Sequence, residues 1–194
     1  MQIIPKEFFA GRPTAQIARE ILGKVLIHAS PEGITSGIIV EAEAYLSQDD
    51  PASHSARGHS KQNQQMYKEP GTSYIHLSYG VHYLVNAVCQ EVGVPESVLF
   101  RALEPLEGLE LMRDRRGGIS SDYQLTNGPG KLTQAMGIDI RLLGHPLQRP
   151  PLYIVAGITV PESEIVATSR IGISRGQELP LRFHIKDNRY VSRG

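Results

Sequence analysis

The sequence predicts an α+β fold. Predicted strands outnumber predicted helices, the helices are scattered among the strands, and no regular strand–helix–strand alternation is present. The chain has 194 residues and 40% of them are hydrophobic, which suffices for one core, so we predict a single domain over residues 1–194. Its 19 glycines and 13 prolines lie between apolar runs and therefore indicate many turns.

The N-terminal half of the chain is predicted to hold one helix and four strands. Residues 13–22 carry an apolar stripe at helical spacing, with a proline at the start and a glycine directly after the end. The polar stretch 49–70 has no clear period and is predicted to be a long loop with one helical turn. The predicted strands cover residues 24–30, 34–45, 73–77 and 81–88.

The C-terminal half is predicted to combine short strands with two helices. A strand over residues 98–102 is followed by a helix from Pro105 to about Arg115, which a glycine pair would end. The turn sequence Asn127-Gly-Pro-Gly130 leads into a second helix over residues 131–136. Further short strands are predicted at residues 152–155, around Ile165, around Ile171 and over residues 181–185.

Composition excludes several classes of protein. Cys89 is the single cysteine, which excludes a disulfide framework and a multi-cysteine zinc or iron–sulfur site. The N-terminus does not resemble a secretory signal, and no apolar run approaches the roughly 20 residues of a membrane span. We therefore expect a soluble cytoplasmic protein that does not enter a membrane. The 20 basic and 20 acidic residues balance, which argues weakly against nucleic-acid binding, although a balanced total can hide a positive face.

Two glutamates and a tyrosine occupy alternate positions of the second predicted strand. Because side chains alternate between the faces of a strand, Glu41, Glu43 and Tyr45 share one face with Ile39, and the opposite face is wholly apolar. Such a face is typical of an edge strand with a solvated acidic side. It is equally compatible with a site in which one carboxylate acts as a general base.

The turn between the third and fourth predicted strands places an aromatic residue at a hairpin tip. The turn reads Ser78-Tyr79-Gly80, and Tyr79 would be exposed there. One interpretation is that its ring packs beside its own turn. The other is a wedge that enters the minor groove of DNA and fills the gap left by a displaced base.

Several short motifs occur in a fixed order along the chain. They are Glu41-Ala-Glu-Ala-Tyr45, Asp50-Pro-Ala-Ser-His54-Ser55, Pro70-Gly-Thr-Ser-Tyr-Ile-His76, Ser78-Tyr-Gly80, Asn86, Leu99-Phe-Arg-Ala-Leu-Glu-Pro-Leu-Glu-Gly108, Asn127-Gly-Pro-Gly-Lys-Leu132 and Ser169-Arg-Ile-Gly172. In residues and order this set resembles the alkyladenine (3-methyladenine) DNA glycosylases. The resemblance runs from about Phe8 to Ser192, which is nearly the whole chain.

The resemblance implies a fold and a set of functional residues. The fold would be a curved, mainly antiparallel β-sheet with flanking helices and a protruding β-hairpin that inserts into DNA. The implied roles are catalysis by Glu43, a position near the catalytic water and DNA backbone for Arg101, stacking on the flipped base by Tyr45 and His54, intercalation by Tyr79, and exclusion of normal guanine by Asn86.

One position departs from the family pattern. His76 stands where the animal enzymes have a tyrosine that stacks on the base. An imidazole still stacks, but it has a smaller area, and a protonated ring would repel a cationic alkylated base. The substrate range is therefore open. A general acid for neutral bases is also open, with His54, His76 and His82 as candidates.

Three basic residues are candidate contacts to the DNA backbone. Lys131 follows a glycine-rich turn at a helix start, where backbone N–H groups bind phosphates well. Arg170 and Arg182 are further candidates in the C-terminal part. Each of the three could instead be a solvated surface charge.

The resemblance thus implies a monofunctional base-excision-repair glycosylase. It would flip alkylated or deaminated purines from duplex DNA and hydrolyse the N-glycosidic bond with a Glu-activated water. Because no lysine occupies the matched strand, a Schiff-base mechanism with strand cleavage is disfavoured. No cofactor and no metal site is predicted, since the spacing of the histidines fits no zinc pattern, and a monomer is expected. The alternatives are a damaged-DNA binding protein without cleavage and a free-nucleoside hydrolase.

Overall fold

The computed structural model describes residues 2–192, and it confirms the α+β class. Met1, Arg193 and Gly194 lie outside the described residues. The helices are α1 (Thr14–Glu20), α2 (Leu109–Arg115) and α3 (Pro129–Met136). The strands are β1 (Val25–Ser30), β2 (Gly33–Tyr45), β3 (Ser73–Ser78), β4 (His82–Cys89), β5 (Glu96–Glu107), β6 (Leu152–Val155), β7 (Ile165–Thr168) and β8 (Arg182–Ile185).

The strands form one antiparallel sheet with β2 at its centre. The order along the sheet is β3-β4-β5-β2-β1-β6, and β8 joins β2 to β7. The N-terminal half of β2 pairs with β1, while Glu41 to Glu43 pair with β8. The strand β5 runs along the other side of β2 over most of its length. The two glutamates of β2 therefore lie between two neighbouring strands, and the solvated edge that their pattern also allowed is absent here.

A β-bulge in β2 changes the predicted alternation of its side chains. The register with β5 shifts by one residue before Glu41 and shifts back after it, so the pairing skips Val40 of β2 and then Arg101 of β5. As a result Ile39 packs in the main core together with Ala42 and Ala44, although the strict alternation placed it on the opposite face. Val40 packs instead in a second apolar cluster with Tyr190. The bulge therefore gives the carboxylates a different face from Ile39.

The helix predicted from Pro105 is wrong at its start. The strand β5 continues to Glu107, and α2 begins only at Leu109. Pro105 pairs with Gly37 at a register shift, a place where a strand tolerates the missing N–H of proline. Gly108 then turns the chain with a φ of 78°, and a Cβ there would lie 2.3 Å from the carbonyl oxygen of Ile34. The glycine is thus required both by its conformation and by the close approach of β2.

Most other predicted elements are found within a few residues of their expected bounds. The strand expected around Ile171 is absent, because this residue lies in a bend after β7. The long loop contains two short 3-10 turns, His54–Arg57 and Gln64–Tyr67, where one turn was expected. Within the described residues, no helix has both the length and the apolar character needed to cross a membrane.

The main core lies between the sheet and the helices α1, α2 and α3. The stripe of α1 contributes fully buried Ile17 and Ala18, as the helical spacing predicted. Large core side chains from the sheet include Phe100 and Leu103 of β5. Each fully buried side chain of this size stabilises the fold by about 1.5–3 kcal/mol relative to exposure. The result is a rigid support for the strands that carry the polar residues described next.

Candidate active site

A cleft of about 610 Å³ is bounded by the β3–β4 hairpin, the 49–70 loop, the start of α3 and the loop after β7. Among the described residues that line it, none is Asp or Glu, whereas Arg57, Arg101 and Arg175 take part. The cleft also brings together most of the candidates from the sequence: Tyr45, His54, His76, Tyr79, His82, Asn86 and Arg101.

The carboxylate of Glu43 lies directly behind this lining and is fully buried. Its Oε1 accepts the backbone N–H of Ile171 at 2.9 Å, and its Oε2 accepts the hydroxyl of Tyr45 at 2.8 Å. The Nη1 of Arg101 is 3.2 Å from Oε1. Burial raises the pKa of Glu43 above its ordinary value, although these three donors act against burial. All three donors line the cleft, so the carboxylate is one contact away from any molecule bound there.

Glu41 is a second buried carboxylate next to Glu43. Its Oε1 accepts the Nε–H of Arg101 at 3.0 Å and the Nε–H of Arg182 at 2.6 Å. Burial alone would raise the pKa of Glu41, but Arg101 and Arg182 hold it below its ordinary value. Arg101 in turn has a raised pKa, because Glu43 and Glu41 outweigh the effect of its burial. The cluster is therefore fully ionised at Glu41 and Arg101 at neutral pH.

The ring of Tyr45 rests on a buried arginine. The guanidinium carbon of Arg170 lies 4.6 Å from the ring centroid. Arg170 also pairs with both carboxylate oxygens of Asp50, at 2.6 and 2.7 Å, and donates to the carbonyl oxygen of Ala44 at 3.0 Å. Since its side chain is fully buried, we do not retain Arg170 as a contact to DNA phosphate. Arg170 instead supports the ring of Tyr45 from below, a role that the sequence did not indicate.

Three rings form one side of the cleft. The Nδ1 of His54 is 2.7 Å from the hydroxyl of Tyr74, and the ring of His76 stacks on Tyr74 with centroids 5.2 Å apart. His54 and His76 meet edge to face at 4.4 Å. Burial and the neighbouring His54 lower the pKa of His76 to about 4, and burial raises that of Tyr74 to about 12. At neutral pH His76 is therefore uncharged, which removes the repulsion toward a cationic base that its identity suggested.

Tyr74 is a site residue that sequence reasoning missed. It precedes His76 by two positions in β3, so both side chains lie on the same face of the strand. That spacing is the signal that could have found it. Asn86 lies opposite Tyr74 in the β3–β4 ladder, and its Nδ2 donates to the Tyr74 carbonyl oxygen at 3.1 Å. The amide is thus held in a fixed orientation at the wall of the cleft.

Tyr79 is at the tip of the β3–β4 hairpin, as its turn sequence predicted. Its side chain is 88% exposed, and its φ of 51° is in the left-handed region that non-glycine residues rarely adopt. Leu77 and Val81 on either side are also exposed, by 51% and 70%. An exposed apolar tip held in an uncommon backbone conformation is typical of a binding element. The ring does not pack beside its own turn.

The other basic residues near the cleft differ in their exposure and in their partners. Lys131 is exposed near the start of α3, with its Nζ 2.9 Å from Asn127 Oδ1. Arg182 is mostly buried and donates to Glu41, so we do not retain it as a phosphate contact. Arg57 and Arg175 line the cleft, are exposed and form no ion pair within residues 2–192. Neither was proposed from the sequence, because isolated arginines in loops give no pattern.

Among the described residues, no three His, Cys, Asp or Glu side chains are grouped so that they could hold a metal ion.

Of the candidate general acids, His54 and His76 share the ring cluster, while His82 is exposed at the start of β4. His82 lines the cleft next to Gly130, where a Cβ would come within 2.9 Å of its side chain. Gly130, the second residue of α3, thus allows this helix to approach the hairpin closely.

Comparisons with known proteins show the family to which the chain is similar. Residues 7–189 match the family model described as methylpurine-DNA glycosylase (MPG). A protein of Carboxydothermus hydrogenoformans named "Putative 3-methyladenine DNA glycosylase" is 43% identical over 192 residues, which cover 98% of this chain and 99% of the relative. Proteins with the same name from Methanoculleus marisnigri and Rubrobacter xylanophilus are 46% and 48% identical. These two alignments cover 98% and 88% of this chain, and 98% and 87% of the respective relatives.

Proposed function

This chain belongs to the methylpurine-DNA glycosylase family and is a base-excision-repair glycosylase, and on this premise we propose that Glu43 activates the water that releases the damaged purine. The observation that carries the proposal is the environment of the Glu43 carboxylate. A carboxylate has about four lone-pair sites, and the N–H of Ile171, the Nη1 of Arg101 and the hydroxyl of Tyr45 occupy three of them. One site on Oε2 is left for a water molecule.

The proposed reaction is a hydrolysis in which Glu43 takes one proton. The water oxygen attacks C1′ of the flipped nucleotide, a water proton passes to Glu43, and the N-glycosidic bond breaks with its electron pair going to the base. Burial supports the step because it raises the pKa of Glu43 and makes the ionised form a stronger base. A methylated purine is cationic and leaves as a neutral base. A neutral purine needs a proton to leave. His76 is a poor proton donor at neutral pH, because its pKa is about 4 and its ring is then almost entirely unprotonated.

We propose that the base lies between Tyr45 on one side and the rings of His54 and His76 on the other. All three line the cleft, and stacking on each aromatic ring contributes about 1–3 kcal/mol per base. Asn86 is the proposed residue that crowds the purine 2-position. Its orientation is fixed by the bond to the Tyr74 carbonyl oxygen, which supports a steric role against normal guanine.

We propose that the hairpin tip enters the minor groove of duplex DNA with Tyr79 as the wedge. Flipping a nucleotide costs a few kcal/mol, and an inserted side chain offsets part of that cost. Phosphates flanking the flipped nucleotide would be bound by Arg57 and Arg175 at the cleft and by Lys131 near α3. The protein would act on DNA as a single-domain monomer.

The test is single-turnover base release from duplexes that carry one 7-methylguanine, hypoxanthine or ethenoadenine, in the presence of EDTA. We expect release by the wild type with an intact strand until alkali is added. Glu43→Gln should lower the rate by about 10²–10⁴-fold, the range of general-base catalysis. Glu107→Gln is a matched control, because Glu107 is exposed at the far end of β5 and does not line the cleft.

The alternatives give different results in the same assay. A binding protein would retain lesion duplexes but release no base, and Glu43→Gln would change nothing. A free-nucleoside hydrolase would release base from nucleosides, and Tyr79→Ala would leave that activity intact. Equal rates for the wild type and Glu43→Gln on every duplex would reject Glu43 as the base.

A further inference from the structure

The proposed mechanism uses Glu43 but assigns no role to the neighbouring buried carboxylate of Glu41. Glu41 is fully buried and accepts four hydrogen bonds. Two come from Arg101 and Arg182, and two come from Ser192, whose N–H is 2.7 Å from Oε2 and whose hydroxyl is 2.8 Å from Oε1. A buried carboxylate with this many partners is held in one position.

Arg101 connects Glu41 to the catalytic carboxylate. Its Nε donates to Glu41 at 3.0 Å, its Nη1 is 3.2 Å from Glu43, and its Nη2 donates to the hydroxyl of Ser192 at 3.3 Å. The planar guanidinium therefore has all three nitrogens fixed by different partners. Its orientation toward Glu43 depends on two residues that do not line the cleft.

We propose that Glu41 is a positioning residue of the glycosylase centre, which holds Arg101 at its observed distance from Glu43 and shares the charge of the arginine between two carboxylates. The proposal rests on the proposed function of Glu43. Without Glu41, Arg101 would be the undivided counter-ion of Glu43 and would approach it more closely. The base would then be weaker, and the water site beside it would be displaced.

The C-terminal segment 187–192 belongs to the same hydrogen-bond network, because its residue Ser192 donates to Glu41. Tyr190 packs against Val40 in the second apolar cluster and so covers the outer face of β2. Asn188 lies in the same segment but contacts a residue outside the cluster, since its Nδ2 donates to Glu104 Oε2 at 2.9 Å. The segment thus has one polar attachment at the catalytic cluster and another that does not touch it.

The sign of the electrostatic effect follows from the groups that face Glu43. The charged and titratable groups around it are Glu41 and Tyr45 of β2, Arg101 of β5, Arg182 of β8 and Arg170 of the loop after β7. Burial is the largest influence and raises the pKa of Glu43, and the charge of Glu41 raises it further. Removal of that charge in Glu41→Gln therefore lowers the pKa of Glu43.

The test is the pH profile of single-turnover 7-methylguanine release by the wild type, Glu43→Gln and Glu41→Gln. This base is already cationic and needs no proton, so the loss of rate in acid reports the protonation of Glu43. We expect Glu41→Gln to move the acid midpoint of the profile to lower pH. It should also lower the plateau rate by a factor of about 10 to 100, as for a misplaced catalytic group. The dissociation constant for the duplex should stay unchanged. Glu41→Asp, which retains the charge, should retain the wild-type midpoint.

Ser192→Ala and Asn188→Ala form a matched pair that remains informative if Glu41→Gln does not fold. Both truncate a polar side chain of the same segment, but only Ser192 contacts Glu41 and Arg101. We expect Ser192→Ala to lower the plateau rate several-fold and Asn188→Ala to leave it unchanged. A folded Glu41→Gln with the wild-type midpoint and plateau overturns the proposal, as does a wild-type rate for Ser192→Ala. Failure of the proposed function is separate, since Glu43→Gln would then still release the base.

Discussion

The pair of Asp50 and Arg170 beneath Tyr45 offers a direct test of how this site is supported. Both side chains are fully buried, and the two bonds between them are 2.6 and 2.7 Å long. The substitution Asp50→Asn keeps the size of the side chain and removes its charge. Arg170 would then be a buried cation without an anionic partner, and the loss of one partner of a buried pair costs about 3–5 kcal/mol.

The expected shift in melting temperature follows from the length of the chain. For proteins of this size each kcal/mol corresponds to roughly 2–4 °C, so Asp50→Asn should melt about 6–20 °C below the wild type at neutral pH. Asp139→Asn is the matched control. Asp139 forms a bidentate pair with Arg141, but that arginine side chain is 84% exposed, and exposed pairs contribute about 0–1 kcal/mol.

Acid provides a second readout of the same pair. Burial would raise the pKa of Asp50, but the hydrogen bonds from Arg170 and from the N–H of Leu46 lower it below its ordinary value. A lowered pKa contributes stability above the unfolded value of about 3.9 and loses it as the pH falls through the folded value. The difference in melting temperature between the wild type and Asp50→Asn should therefore be largest at neutral pH and should decrease only below about pH 4. Equal melting temperatures for Asp50→Asn and Asp139→Asn, measured by circular dichroism, would refute this account of the buried pair.

Three further predictions concern DNA and the base. Tyr79→Ala should lower single-turnover release from duplex DNA by about 10-fold or more, because the offset to the few kcal/mol of flipping is lost, and should leave the melting temperature unchanged since the ring is 88% exposed. Arg57→Ala and Arg175→Ala should each reduce the slope of log K against log salt by about 0.9, whereas Arg149→Ala, outside the cleft lining, should not. Because the pKa of His76 is about 4, the ratio of affinities for cationic and neutral lesions should be flat between about pH 5.5 and about pH 8. A change of that ratio across the range, in a fluorescence titration, would indicate that the ring titrates there.

Sequence patterns predicted the elements whose formation depends on neighbours in the chain. The stripe of α1, the apolar run of β6 and the turn around Tyr79 are all local signals, and each element is found close to its expected bounds. The end of β5 was not predictable in this way. Pro105 is typical of a helix start, and it is accommodated in a strand only because Gly37 of β2 lies opposite it at a register shift.

The same division applies to the site. Alternation placed Glu41, Glu43 and Tyr45 on one face, and the resemblance assigned Glu43 its role. The partners that surround the buried carboxylates come from distant parts of the chain. The N–H of Ile171 is 128 residues from Glu43, and the hydroxyl of Ser192 is 151 residues from Glu41. No local pattern in β2 contains these partners, which is why a solvated acidic face was an equally good interpretation.

The balanced charge of the chain, which weakly opposed DNA binding, has a spatial explanation. Three carboxylates are buried against three arginines in the Glu41–Glu43 cluster and in the Asp50 pair, so these charges cancel inside the protein. The lining of the cleft contains no carboxylate among the described residues, and Arg57 and Arg175 are exposed there. The local field at the cleft is therefore positive although the formal net charge is +0. On the proposed function, such a surface would hold DNA by few phosphate contacts, and most of the selectivity would come from the proposed wedge and the stacked rings. We therefore expect the salt dependence of binding to be shallow without being absent.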